Sequence, residues 1–179
     1  MKLISFMLIC GLISTVGCSS CSKNTPTDSI DNSVVSTVNL DKYLGTWYEI
    51  ARYDHRFERN MQGVKANYSM RNDGLIKVLN SGYKGSLDGN YKETEGKARI
   101  PNADAPAKIE VAFFLNFWGD YYIMELADDY RYALIGSSTD KYLWILSRTL
   151  KMESTDLDYL LQRIRERGYN ENELIWVEH

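Results

Sequence analysis

Cysteine is nearly missing from this chain of 179 residues, and its placement says more than its count. The three are Cys10, Cys18 and Cys21, and none lies between Ser22 and His179. The body of the chain thus holds no thiol nucleophile and no internal disulfide, so packing alone must stabilise it. Histidine is scarcer still. His55 and the terminal His179 are too few for a zinc set or a nucleophile–base–acid triad, and no cofactor or metal is expected. Long hydrophobic runs are missing as well: the longest, Leu3–Ile13, falls short of the roughly 20 apolar residues that a spanning helix needs. Nor is there an excess of positive charge. The 21 Lys and Arg face 24 Asp and Glu, a net charge of −3, which argues against a nucleic-acid partner because no basic stripe is available to displace counterions. What the chain does have is 44% hydrophobic and 25% charged residues, the composition of a folded globular domain.

The first 17 residues read as an export signal: Lys2, the apolar run to Ile13, then the small residues Ser14, Thr15 and Gly17. Cys18 stands directly after this segment. Val16-Gly17-Cys18 resembles the lipobox of bacterial lipoproteins, in which the Cys becomes the lipid-modified first residue of the mature chain. The competing reading is plain secretion, with Thr15-Val16-Gly17 as a small-x-small cleavage site. Residues 18–38 are rich in Ser, Thr, Asn and Asp without periodicity and are assigned to a flexible tether. Residues 39–179 then form one domain.

Within that domain, apolar and polar residues alternate with a period of two. Glu93–Ile100 carries charge at every odd position and small or apolar residues at every even one. Lys108–Phe113 repeats the pattern. Thr46–Tyr53, Val64–Met70, Ile76–Tyr83, Tyr121–Leu126, Tyr132–Gly136 and Tyr142–Arg148 complete eight strands. Asn72-Asp73-Gly74, Asp88-Gly89-Asn90 and Ser137–Asp140 supply turns of hairpin length. Eight antiparallel strands joined in this way close into an up-and-down barrel, which leaves no free edge. An immunoglobulin-like sandwich would want Greek-key crossovers, which the short loops do not provide. Ser154–Gly168 breaks the alternation. Leu157, Leu160, Leu161 and Ile164 fall at helical spacing, with Ser154 as a cap and Gly168 as a stop, so an α-helix is expected on the outer wall. Ile175-Trp176-Val177 reads as a short last strand.

Three short motifs stand in order on this pattern. Gly45-Thr46-Trp47-Tyr48 opens the first strand after the helical turn Leu40–Leu44, Asp129-Tyr130 lies between the sixth and seventh strands, and Arg148 ends the eighth. Together they resemble the three signatures of the lipocalins. The runs 45–59 and 142–149 are similar to those of the bacterial outer-membrane lipoprotein lipocalins of the apolipoprotein D-like group. The resemblance implies an all-β, eight-stranded barrel with a C-terminal helix, and an outer-membrane protein of the bacterial cell envelope, tethered through Cys18. It also implies an apolar ligand in the cavity, a fatty acid such as palmitate or a lysophospholipid, for storage or transport, with a homodimer left open. First and last strands pair in a closed barrel, so Trp47 and Arg148 are expected to stack at its closed end, a contact worth about 0.5–2 kcal/mol.

Parity names the ligand face. With Trp47 pointing inward, Glu49, Ala51 and Tyr53 share its side, followed by Val64, Ala66 and Tyr68, then Val78 and Asn80, and then Thr94, Gly96 and Ala98. Val111, Phe113, Trp144 and Leu146 continue the face, and Tyr122 and Met124 are assigned to it on the assumption that Glu125 faces water. The expected wall is Tyr53, Val64, Ala66, Tyr68, Val78, Asn80, Thr94, Ala98, Val111, Phe113, Trp144 and Leu146. Small residues on it leave room for a ligand. On this reading Arg148 is the one strand cation facing inward, so an anionic head group would stay at the mouth beside Arg56 and Arg59. Glu49 stands alone as an inward carboxylate, which is poor material for acid–base chemistry. The competing functions are an enzyme acting on a lipid-like substrate and a structural envelope barrel with a filled interior.

Overall fold

The computed structural model describes residues 29–179. The signal segment, Cys18 and the start of the tether lie outside them. The chain first makes a single helical turn, α1 (Leu40–Tyr43), capped by the Asn39 side chain, which accepts from the Lys42 amide. Eight strands follow: β1 (Gly45–Arg52), β2 (Met61–Met70), β3 (Ile76–Lys84), β4 (Asn90–Arg99), β5 (Lys108–Ala112), β6 (Gly119–Leu126), β7 (Tyr132–Gly136) and β8 (Trp144–Ser147). Each pairs antiparallel with the next, and β1 pairs with both β2 and β8, which closes the barrel. The alternation in the sequence is thus the alternation between two faces of one sheet curled on itself. The tightest hairpin turns through Gly74 at φ +81°, a conformation that costs glycine nothing, while Asp73 accepts from the Leu75 amide.

Two irregularities change which face a residue occupies. In β1 the register with β8 slips between Glu49 and Ala51, so that Glu49 opposes Leu146 and Arg52 opposes Trp144. The extra residue turns Arg52 inward and puts Ala51 and Tyr53 outside, contrary to the parity expectation. A second slip between Ile123 and Glu125 in β6 does the same to the assignment there: Tyr121 and Ile123 face the interior, while Met124 packs outside.

The outer wall is covered by α2 (Ser154–Glu166). Leu160 and Ile164 are fully buried against Ala51, Leu134, Leu143 and Ile145. Burying those two side chains contributes roughly 3–6 kcal/mol at about 1.5–3 kcal/mol each. The cap lies one residue earlier than expected: Glu153 is the capping residue through its carbonyl, and Ser154 is the first helical residue. After α2 the chain returns as β9 (Ile175–Trp176) on β1. Beyond it the tail crosses to β2, where the Gly63 amide donates to the Glu178 carbonyl at 2.7 Å.

The second half of the expected tether is not free. The Asp31 and Val35 amides donate to the carbonyls of Arg167 and Ile123, and Arg167 donates to the carbonyls of Asp31 and Ser33. Val34, Val35 and Val38 pack on the closed-end core. Polar composition pointed to a tether, but the scattered Ile30, Val34, Val35 and Val38 find apolar partners only once the barrel exists. Among the described residues, no helix is long and apolar enough to cross a membrane.

Candidate functional site

The closed end is a solid plug. Trp47 is fully buried and its Nε1 donates to the Tyr43 carbonyl at 2.8 Å. The Arg148 guanidinium lies 3.9 Å from the centroid of the Trp47 ring. It donates to the carbonyls of Lys42, Tyr43, Thr46 and Tyr130, so one side chain ties α1, β1 and the β6–β7 turn together. In that turn Tyr130 adopts φ +63°, and its hydroxyl accepts from the Asn39 amide. Above the indole, the hydroxyls of Tyr43, Tyr68 and Tyr121 form a chain of bonds of 2.7 and 3.0 Å. Burial pushes all three phenols up in pKa. Tyr43, Tyr68, Ile76, Ala98 and Ile109 meet here with no room for a water molecule.

The mouth end is different. Ala66, Val111, Trp144 and the Asn80–Thr94 pair of β3 and β4 are only half-buried or exposed. The Phe113 ring, 40% exposed, lies across Gly96, where a Cβ would come within 2.6 Å of it. The loop between β5 and β6 continues outward with Phe114, Leu115 and Phe117 exposed.

Of the wall expected from parity, Val64, Ala66, Tyr68, Val78, Asn80, Ala98, Val111, Trp144 and Leu146 share the inward face, with Thr94 and Phe113 at the rim. Tyr68, Val78 and Ala98 belong to the packed base. Tyr53 does not face the cavity: the β1 bulge sends it outward, where its hydroxyl bonds the backbone of Asn170. Arg56 and Arg59 sit on the exposed outside of the first loop, one over the Phe57 ring and the other paired with Asp54.

The interior also holds a charged group that parity did not show. Arg52 is 1% exposed and donates to Glu49 at 2.5 Å. Residues 53–60 fold back so that Glu58 enters the barrel beside them, accepting from Trp144 Nε1 at 3.2 Å. Glu49 is therefore not a lone acid, and Arg148 is not the one inward cation. Burial, together with the charge of Glu58, pushes the Glu49 carboxyl well above the usual range despite Arg52. Burial pulls Glu58 upward too, but His55, Trp144 and the neighbouring Glu49 outweigh it and hold that carboxyl below its usual value. The only hint in the sequence was the density of charge in Arg52–Arg59. Among the described residues, no three His, Cys, Asp or Glu are placed to hold a metal ion.

A closed barrel with one sealed and one open end defines a cup for a small molecule. The chain belongs to the lipocalin family: residues 38–179 match the family model of the lipocalin-like domain. It is 45% identical over 145 residues to the outer membrane lipoprotein Blc of Vibrio cholerae, covering 80% of this chain and 84% of that protein. To the Blc of Escherichia coli K12 it is 40% identical, with 88% of each chain covered. Apolipoprotein D of Rattus norvegicus is 39% identical over 71% of this chain and 69% of its own. Among solved structures, insecticyanin of Manduca sexta superposes with a TM-score of 0.65 at 20% identity, over 87% of this chain and 88% of that one, a likeness of fold alone. Membership of the family implies binding of a small hydrophobic molecule.

Proposed function

We propose that this protein is a lipid-anchored carrier that holds a fatty acid or lysophospholipid in its barrel and serves the maintenance of envelope lipids. Its place is the bacterial outer membrane, as for its Blc relatives. The observation that carries the reading is the contrast inside the barrel. The base is packed solid, while Ala66, Val111 and Trp144 beside it are only half-buried and the Phe113 ring that covers Gly96 is 40% exposed, so the apolar packing loosens toward the mouth. An acyl chain suits such loosely packed apolar walls because each buried methylene contributes up to about 0.8 kcal/mol and requires no polar partner. Attachment through Cys18 would keep the mouth within reach of the lipid, since the eleven residues from there to Ser29 span at most about 40 Å.

Native mass spectrometry of the protein extracted in mild detergent tests both halves of this reading. The expected spectrum shows a mature chain beginning at a lipid-modified Cys18 with an acyl ligand that is shed on activation. A chain without added lipid mass would remove the anchor, and a ligand-free barrel that stays empty when offered palmitate would favour the filled, structural reading.

A further inference from the structure

Glu58 is an unusual resident of a lipid cup. It comes from a loop whose other charged residues, Asp54, Arg56 and Arg59, are all exposed, yet its own side chain is only 14% exposed. Donors from two separate strands and the ring of His55 converge on its carboxylate. Trp144 Nε1 reaches Oε2 at 3.2 Å, and Asn80 Nδ2 reaches Oε1 at 3.4 Å. His55 Nε2 stands 3.0 Å from Oε2, close enough for an ion pair but not aligned for a hydrogen bond. Arg52 lies alongside, bonding the Glu58 and Met61 carbonyls with one nitrogen and Glu49 with another. Its Nε, though buried, has no partner, and neither does His55 Nδ1. The barrel thus presents more donors than its own carboxylate uses.

We propose that these donors are a subsite for the carboxylate of a long-chain fatty acid, and that Glu58 is an internal stand-in which the ligand displaces. This rests on the carrier reading and narrows it to free fatty acids bound head-inward. Each side-chain contact of Glu58 is one that any carboxylate can make, so the exchange leaves the buried charge unchanged. Arg52 meets Glu49 directly at 2.5 Å and holds Glu58 through its backbone carbonyl, while its buried Nε stays without a partner, so a carboxylate in the place of the Glu58 side chain lies beside the same guanidinium and finds a free donor there. The tip of the loop can yield: Arg56, Phe57 and Arg59 are exposed, Phe57 at 69%, so Glu58 can swing out while His55 stays buried against Trp144. The tail then has one direction to run. The base admits not even water, so the chain passes Ala66, Gly96, Val111 and Phe113 toward the exposed Phe114, Leu115 and Phe117. A phosphocholine head would bring an ammonium and far more bulk to the side of Arg52.

Palmitate, methyl palmitate and palmitoyl lysophosphatidylcholine titrated into the wild-type protein and Glu58→Ala test this. Glu58→Ala should tighten palmitate about tenfold or more, about 1.4 kcal/mol, and leave the ester within about threefold. In the wild-type protein, the Trp144 indole N–H resonance should shift on adding palmitate and stay in place with the ester. That second measurement decides the matter should Glu58→Ala fail to fold. Equal gains for acid and ester would make Glu58 a mere plug, and a loss of palmitate affinity would make it a structural support. A gain for the lysophospholipid matching that of palmitate would exclude a carboxylate site. Each of these overturns the subsite while leaving a lipid carrier. If no acyl compound binds either protein, the carrier reading falls and the subsite with it.

Discussion

Arg148 holds the base of the barrel through five contacts, four to carbonyls and one to the face of Trp47. Arg148→Ala leaves those carbonyls without their donor, and a loss of about 1–3 kcal/mol is expected. It should appear as a lower melting temperature with palmitate affinity of the folded protein unchanged, because the guanidinium is on the far side of the plug from the mouth. An unaltered melting temperature would refute this role. Arg148 and Trp47 could be placed from sequence because they sit at strand ends on either side of the closing seam. Arg52 could not. It is five residues from Trp47, so simple alternation puts it on the outside, and only the bulge after Glu49 reverses that.

At the scale of elements, α2 and the segment before α1 depend on one another. Arg167 is 5% exposed, and its guanidinium reaches Glu125, the Met124 carbonyl and the carbonyls of Asp31 and Ser33. Arg167→Met keeps the apolar stem and removes these bonds, while Arg163 still neutralises Glu125. The expected cost is about 1–3 kcal/mol. Its distinctive signature is faster hydrogen exchange at the Asp31 and Val35 amides, with the Ile123 amide inside the barrel still protected. Unchanged exchange at Asp31 and Val35 would show that the segment is held by its valines alone. The strands and the helix were legible to within a few residues because each buries one face and their periods differ. The packing of residues 29–38 was not, since an aperiodic segment with a few apolar residues carries no face of its own.

Across the whole molecule, the linked hydroxyls of Tyr43, Tyr68 and Tyr121 join α1, β2 and β6 inside the base. Burial raises all three phenols above their unfolded value of 10.0, and it pushes Tyr53 and Tyr169 up to about 12. A raised pKa means that the folded protein keeps protons which the unfolded chain releases. This contribution is fully present below pH 10 and is lost as pH rises through the folded values. Urea midpoints should therefore hold steady near pH 8–9 and fall between about pH 10 and 12. Tyr121→Phe should make that fall shallower, at a cost of about 1–2 kcal/mol near neutrality for the lost bonds. A fall of equal steepness in Tyr121→Phe would show that the base does not titrate in this way.

Family, strand order, covering helix and the aromatic–arginine base all followed from the sequence, because period, turn chemistry and the three motifs are local properties that survive any rearrangement of distant parts. Tertiary structure alone decided what the cavity contains. A one-residue slip turned Arg52 into the barrel, a folded loop brought Glu58 to meet it, and small residues expected to leave space were split between the inside and the outer wall. Such choices depend on how strands register across the seam and on where a loop finds partners for its charges, and neither is encoded in the spacing of residues along one strand.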